Sequence, residues 1–474
     1  MLNIKKVHHS DCLSNSSGNN LMIKSIPHDL KPARNQVSLN YKNRLEPKDM
    51  PLYKHKLVEQ VNGGDSDNLL LHGDCLSACA YLKSKNIQVD LVYIDPPFNS
   101  GANYSKTIKL KNSKNTELYK EVLYSDKWKK EDYLNWLYER LMAIREVMSE
   151  SGSIYVHLDW HIGHYVKILL DEVFGEKNFL NEIIWCYTIG GKGKSFFGRK
   201  HDAIYWYRVN SVHIFNEKDK FVTIPRKPNS HMRTKKDASG REYQEKTDKK
   251  SGKIYKYYID EGKISEDYWT DIEQLNRADA ERIDYNTQKP EKLLTRIISA
   301  SSNSGMIVAD FFSGSGTTCA VANKLNRRFI GCDIGVNAIQ TTRDRLVSEK
   351  ASFNIVKIKD QVTTPSYLDE DSSASISIRS IENKYEVTID HYSSPYILNK
   401  IKTPIKLSTN GLELINNVQF DITKNDTWIS EIDLEDSPTK KCSIKGVYLL
   451  NTDDFRMKIR NIIGGELILD IKPD

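Results

Sequence analysis

The sequence predicts an α/β protein, a doubly wound and mostly parallel sheet carrying a basic insertion and a small β-rich C-terminal domain. Three observations predict it. Short buried-strand patterns alternate with helical ones over much of the chain, as βαβ units require. Two of those strands run into turn chemistry suited to a sheet's carboxyl edge, Asp95-Pro96-Pro97-Phe98 and Asp310-Phe311-Phe312-Ser313-Gly314-Ser315-Gly316. Between them, Gly190 to Lys263 holds 19 basic and 9 acidic residues, net +10, and breaks the regular alternation.

The elements follow in order. Residues 1–65 are polar, without periodicity, and read as a disordered or loosely docked extension. A catalytic half is expected over 66–209. It starts with a strand at Asn68–His72, a helix at Leu76–Leu82 and a strand at Val89–Ile94. Tyr133, Leu134, Leu137, Leu141, Ile144 and Met148 recur at helical spacing. Strands follow at Ser153–Leu158, Glu182–Tyr187 and Ala203–Tyr207. Lysines, glycines and tyrosines then mark an insertion over 210–264. Regularity resumes in a second half, 265–350. Thr287 is expected to cap a helix with Pro290 in its first turn and Leu293, Leu294, Ile297 and Ile298 as its apolar stripe. A strand at Met306–Phe312, a helix at Thr318–Leu325 and a strand at Phe329–Asp333 complete it. After an Asp-Glu-Asp-Ser-Ser linker, residues 365–474 show short alternating stretches at Tyr385–Asp390, Trp428–Leu434 and Glu466–Ile471.

Composition bounds the function. The chain has 474 residues, net charge +6 and 7 cysteines without a CxxC pair. No apolar run approaches the roughly 18 residues that span a bilayer, and the N-terminus lacks a signal peptide's apolar stretch. The odd, scattered cysteines argue against a disulfide framework or structural zinc. A reducing cytoplasm is the expected setting. Ser366 to Asp474 carries 13 basic and 18 acidic residues, net −5, which leaves +11 on the remainder. Concentrated basicity of this kind suits a polyanion, because cations near phosphates release counterions.

The glycine turn Gly314-Ser315-Gly316, between a buried strand and the helix opened by Thr317 and Thr318, lets backbone approach a ligand. Asp333 ends the next strand, where an acidic side chain can accept from ribose hydroxyls. The third glycine of a dinucleotide fingerprint is replaced by Cys319. That favours a nucleoside without phosphates, such as S-adenosylmethionine. Gly193-Lys194-Ser195 resembles the end of a phosphate-binding loop, but Thr188 stands where its first glycine must be.

In the other turn, two prolines fix the backbone and remove two N–H donors. Asp95 and the Pro96 carbonyl become acceptors, with Phe98 an aromatic plate beside them. An exocyclic amine on a flat base needs such acceptors, and a base taken out of its stack needs such a plate.

Asp95–Phe98 resembles the catalytic motif of amino-methyltransferases acting on DNA bases, and Asp310–Thr318 resembles their S-adenosylmethionine loop. The order, catalytic motif before cofactor loop, is similar to the β group of DNA adenine N6-methyltransferases, which includes type III modification subunits. The resemblance extends over Asn68 to Val347. It takes in Asp95–Gly101 (DPPFNSG), Gly152–Trp160 (GSIYVHLDW), Asn181–Trp185 (NEIIW), Thr287–Pro290 (TQKP) and Arg328–Asp333 (RFIGCD). It implies that Asp95 and Pro96, held by Pro97, bind the target amine and that Phe98 stacks on the flipped base. It further implies that Asp310, Phe311, Phe312, Ser313, Gly314, Gly316, Thr317 and Thr318 form the cofactor loop. Asp333 would take the ribose, Asp74 would lie near the adenine, and Lys289 and Pro290 would begin a covering helix. Phe311 departs from the family's usual proline, and Asp333 from its frequent glutamate; neither removes a needed group.

The implied chemistry is direct attack of the amine on the sulfonium methyl, without metal or covalent intermediate; cytosine C5 methylation would need a cysteine, usually after proline, and no Pro-Cys pair occurs. Cytosine N4-methylation is the nearest alternative. A non-catalytic DNA-binding subunit and a nicotinamide-dependent oxidoreductase are the others. Double-stranded DNA is the expected partner, held by Lys192, Lys194, Arg199, Lys200, Arg226, Lys227, Arg233, Lys235, Lys236 and Arg241 of the basic segment. A restriction subunit or a second copy would be further partners. His157, His161 and His164 have ligand-like spacing, but His157 ends a strand while the others start a helix, so no metal site is expected. Tyr205-Trp206-Tyr207 reads as sheet core, and Tyr243, Tyr255, Tyr257 and Tyr258 as either packing or nucleic-acid contacts.

Overall fold

The computed structural model describes residues 3–6, 22–33, 37–63, 66–101, 103–111, 116–188, 195–276, 278–283, 285, 287–359, 371–382, 384–401, 407–424, 427–430 and 446–472. The elements that position the site are β1 (His55–Val61), β2 (Leu69–His72), α1 (Cys75–Ser84), β3 (Val89–Ile94), α2 (Lys130–Glu146), β4 (Met148–Leu158), α3 (Gly163–Phe174), β5 (Phe179–Cys186) and β6 (His201–Arg208). They continue with β7 (Tyr268–Trp269), α4 (Glu291–Ser301), β8 (Ile307–Asp310), α5 (Thr317–Lys324), β9 (Arg328–Asp333), α6 (Val336–Ser348), β10 (Phe353–Ile358) and β11 (Trp428–Ser430).

Among the described residues these strands form one eleven-stranded sheet, ordered β7-β5-β6-β4-β3-β8-β9-β2-β10-β1-β11. From β4 to β10 every neighbouring pair is parallel. The central strands are buried end to end, as in Leu69–His72 and Ile307–Asp310, because helices cover both faces. One apolar cluster lies around α1, α2 and α3, and another around α4, α5 and α6. The doubly wound α/β reading therefore holds.

Four expectations change. Far from being loosely docked, the stretch before residue 66 contributes β1, which pairs antiparallel with β10. Its Glu59 is buried and bonded to Arg343 on α6 and to Arg460. Alternation in His-Lys-Leu-Val-Glu-Gln-Val had carried that signal, masked by polar neighbours. Thr287 does not cap α4: Pro290 occupies the cap position, without a side-chain cap bond. Residues 99–125, unassigned from sequence, contain paired strands Asn103–Lys109 and Glu117–Ser125. Ile108, Leu110 and Leu118 join the C-terminal core. Finally, the C-terminal segment reaches the main sheet through β11, parallel to β1. Otherwise it folds as antiparallel sheets that include Lys384–Ser393, Ile415–Asp421, Phe455–Asn461 and Glu466–Lys472. Asp369 and Glu370 of the linker and the second half of the expected Trp428–Leu434 strand lie outside the described residues.

The basic stretch is also two pieces. Strand β6, with Ile204 and Tyr207 fully buried, divides it. Antiparallel to β4, β6 starts at the carboxyl edge and ends beside Ser153 at the opposite edge. Residues 195–200, just before it, lie at the carboxyl edge. Those after it are tied to the end of α4, where the Asn216 amide donates to the Ala300 carbonyl (2.8 Å), and they fold into small antiparallel sheets.

Candidate functional site

Strands β3 and β8 are neighbours, so the two turns that are distant in sequence stand side by side at the carboxyl edge. Asp74 follows β2 and Asp333 ends β9 at the same edge. All border one cavity of about 340 Å³, with Pro96, Pro97, Phe98, Lys289, Asp310, Phe311, Phe312, Ser313, Gly314, Thr317 and Thr318. Gly316 and Pro290 do not line it; they start helices α5 and α4.

One side of the cavity is a backbone cradle. Gly316 is left-handed (φ +72°), and a Cβ there would meet Thr342 at 2.7 Å. Asp333 accepts from the Gly314 and Gly335 amides (2.9 and 2.8 Å), and burial raises its pKa. Asp310 accepts from the Phe312 amide (3.0 Å) and the Thr318 hydroxyl (2.6 Å), and burial pushes its pKa up to about 7. Both carboxylates thus shape the turn. Thr317 ties it to the other side, donating to the Lys289 carbonyl (3.3 Å) while accepting from Arg345 (2.9 Å).

At the far wall Asp74 caps α1, accepting from the Leu76 amide (2.9 Å), and pairs with Arg140 (2.6 Å). Arg140 lies 4.4 Å from the Trp136 ring centre, and Trp136 packs against Phe312 at 5.7 Å. The Ser313 hydroxyl and Asn337 Oδ1 are buried there without a hydrogen-bond partner. A buried polar atom in that state is costly unless a ligand satisfies it. Aromatic walls, a glycine turn and unpartnered polar atoms fit a nucleoside with an amino-acid tail, which is the form of S-adenosylmethionine.

The other side is the Asp95–Phe98 corner. One Asp95 oxygen pairs with the Lys289 ammonium; the other, Oδ1, is buried without a partner. Tyr133 donates to the Pro97 carbonyl (2.5 Å), and buried Asp126 accepts from the Asn99 and Ser100 amides (2.9 and 2.8 Å). These bonds fix the corner. The Phe98 ring is stacked on His157 (6.2 Å, 20°). His157 is bonded through Nδ1 to the Tyr93 hydroxyl (2.8 Å) and through Nε2 to Asp202 (3.1 Å). Tyr187 donates to the other oxygen of Asp202 (3.1 Å).

His161 is instead bonded to Asp159 (2.5 Å), so the three histidines do not converge. Among the described residues no cluster of His, Cys, Asp and Glu is arranged to hold a metal, and no helix is long and apolar enough to cross a membrane. Sequence reasoning missed the roles of Trp136, Arg140, Asn337 and Asp202. His157 sits inside the quoted GSIYVHLDW segment, whose strand pattern disclosed burial but not its partners.

The basic residues separate. Lys192 and Lys194 lie outside the described residues. Arg199 and Lys200 stand at the carboxyl edge, just before β6. Arg226 donates to the Gly262 carbonyl (2.9 Å) and lies over Tyr257. Lys235 pairs with Glu245, Lys236 with Glu242 (3.5 Å), and Arg241 with Asp260 (2.8 Å) and Glu261 (3.0 Å). Lys227 and Arg233 are exposed. Tyr205, Trp206 and Tyr207 are buried in the sheet; Tyr243 is buried and Tyr255 exposed.

Comparison with known proteins agrees with this geometry. The model of a family described as DNA methylase matches residues 89–344. The type II methyltransferase M.EcaI of Enterobacter cloacae is 24% identical over 431 residues, 78% of this chain and 91% of that protein. The DNA adenine methyltransferase YhdJ of Escherichia coli K12 is 26% identical over 308 residues, 64% of this chain and 92% of its own. The StyLTI Mod subunit of a type III restriction-modification enzyme, from Salmonella typhimurium LT2, is 23% identical over 374 residues, 63% of this chain and 56% of its own. The family match covers more than half of the chain and both turns of the cavity, and the chain belongs to this family of DNA methylases, S-adenosylmethionine-dependent methyltransferases.

Proposed function

We propose that the protein methylates N6 of an adenine flipped out of double-stranded DNA at a specific sequence. The observation that carries this reading is the buried, unpartnered Oδ1 of Asp95, beside Phe98 and in the same cavity as the Gly314 turn. When bound, S-adenosylmethionine supplies a methyl group already activated by its sulfonium. The chain positions the acceptor. Phe98 stacks on the flipped base and replaces part of its lost duplex stacking. Asp95 Oδ1 and the Pro96 carbonyl accept the two amino N–H bonds, which returns electron density to nitrogen and aims its lone pair at the methyl. Lys289 fixes the other Asp95 oxygen, so that the free one faces the amine. After transfer the nitrogen sheds one proton, and Asp95, bonded to that N–H, is placed to receive it. The cavity fits direct transfer, in which positioning and fixed charges lower the barrier.

Adenine is preferred over cytosine because Asp95 occupies the first motif position, and one relative is named an adenine methyltransferase. Phosphate contacts fall to exposed cations such as Arg199, Lys227 and Arg233, while residues 210–264 read base edges. A relative that is a Mod subunit supports a nuclease subunit as an additional partner. A DNA substrate places the protein in the compartment holding the genome. Modification-sensitive sequencing of DNA from cells expressing the protein tests the reading. N6-methyladenine at one recurrent motif is expected; N4-methylcytosine, or unmodified DNA, would overturn it.

A further inference from the structure

Apolar rings stand open to solvent at the rim beside the catalytic corner. Phe197 is 97% exposed, Phe196 59% and Trp160 44%. The Arg199 guanidinium lies 3.5 Å from the Trp160 ring centre and 4.9 Å from that of Phe196. The result is a tier of ring, cation and ring, and Phe197 is the next residue of the chain after Phe196.

Their position follows from the sheet. Trp160 lies three residues past His157 on one chain segment, and Arg199 lies three residues before Asp202 on its antiparallel neighbour. His157 and Asp202 are bonded to each other, and His157 carries Phe98. Three residues reach at most about 10 Å, and the Phe98 ring lies 6.2 Å from that of His157, so the tier stands within about 16 Å of the platform for the flipped base. Its neck is fixed. The Tyr187 amide donates to the Lys200 carbonyl (3.0 Å), Lys200 donates to the Thr188 carbonyl (3.0 Å), and the Thr188 amide donates to Glu273 (3.0 Å). The sequence from Thr188 to His201 has four cations and no acid.

We infer that Phe197, supported by the Trp160–Arg199–Phe196 tier, is the wedge that enters the duplex and fills the stack vacated by the target base. An apolar side chain inserted between base steps replaces lost stacking, and flanking cations hold the phosphates on either side. The charge of this arm selects DNA over a protein partner. The inference rests on the methyltransferase reading, and extends it from where the base goes to what takes its place.

The test uses the full chain and duplex oligonucleotides bearing the motif found by sequencing DNA that the unaltered protein has methylated. In one duplex the target adenine is paired with thymine; in the other it faces an abasic site, where extrusion costs less. Phe197→Ala should lower kcat/KM on the paired duplex by about tenfold, and on the abasic-opposed duplex by no more than about twofold, while Phe197→Trp stays near the unaltered protein on both. Phe197 is too exposed for its replacement to endanger folding. Equal losses on both duplexes would overturn the wedge and leave a general binding role. No loss on either would overturn it too, and point to a protein partner for these rings. Lack of transfer by the unaltered protein would overturn the methyltransferase reading itself, so the two failures are told apart.

Discussion

The Lys289 ammonium is paired with the Asp95 carboxylate and lies 5.5 Å from the centre of the Phe98 ring. A residue from the loop before α4 thereby completes a corner made at the end of β3. The carbonyl of the same lysine accepts from Thr317 at the start of α5. One residue thus touches the groups proposed to bind the base and those proposed to bind the cofactor.

Replacing Lys289 should therefore affect transfer more than binding. Lys289→Met should lower kcat by about 100-fold, the scale of losing one well-placed charged group in an active site. Cofactor affinity, measured by calorimetry, should change little. Unchanged single-turnover kinetics would remove Lys289 from the mechanism.

His157 supports the back of Phe98, and its two ring nitrogens are both engaged. His157→Ala opens space behind the ring and should lower kcat/KM for DNA by about tenfold through a less ordered platform. Cofactor affinity should be unaffected, and His157→Gln should recover part of the loss. A fall in cofactor affinity alone would contradict the positioning role.

Asp310 gives a pH signature. Burial raises its pKa to about 7, so the folded protein keeps a proton there after the unfolded chain has released it. Stability contributed at this position therefore falls as pH rises from about 4 to about 7. Asp310→Asn keeps one oxygen to accept from the Phe312 amide, its NH2 can donate to the Thr318 hydroxyl oxygen in place of the second acceptor, and the loss of the titrating group should flatten that dependence. Denaturant titrations across this range provide the check; an unchanged slope would contradict it.

Against the cost of its burial, the Arg343 and Arg460 guanidiniums hold Glu59 well below the usual carboxylate range. The cluster joins β1, α6 and the C-terminal strand Phe455–Asn461. Glu59→Ala leaves both guanidiniums without this partner and should destabilise the protein by about 3 kcal/mol, read as a lowered denaturation midpoint. A change under about 0.5 kcal/mol would show that the junction tolerates the loss.

What the sequence disclosed depended on how local the signal was. Val89–Ile94 and Arg328–Asp333 are mostly apolar stretches ended by chemistry; the first is the strand expected, with the same bounds, and the second begins one residue before the expected Phe329. The Asp95 and Gly314 turns could be placed at one edge because parallel strands share a carboxyl end. The Asp95–Lys289 pair was hidden because residues far apart in the chain meet only when β3 and β8 become neighbours. His157 looked like the end of a strand, since nothing local reveals that Phe98 rests upon it. Strand β1 was obscured by polar surroundings, though burial of Glu59 depends on arginines far along the chain. The basic stretch read as one insertion because charge counting does not register a buried strand, β6, passing through it.

The central claim is that Asp95 acts on the target amine rather than on the cofactor. Its most direct measurement compares the unaltered protein with Asp95→Ala, using calorimetry for S-adenosylmethionine binding and transfer of a labelled methyl group to DNA. The account predicts cofactor affinity within about twofold of the unaltered protein and transfer reduced by at least about 1,000-fold. Methylation by Asp95→Ala at a near-unaltered rate would contradict it.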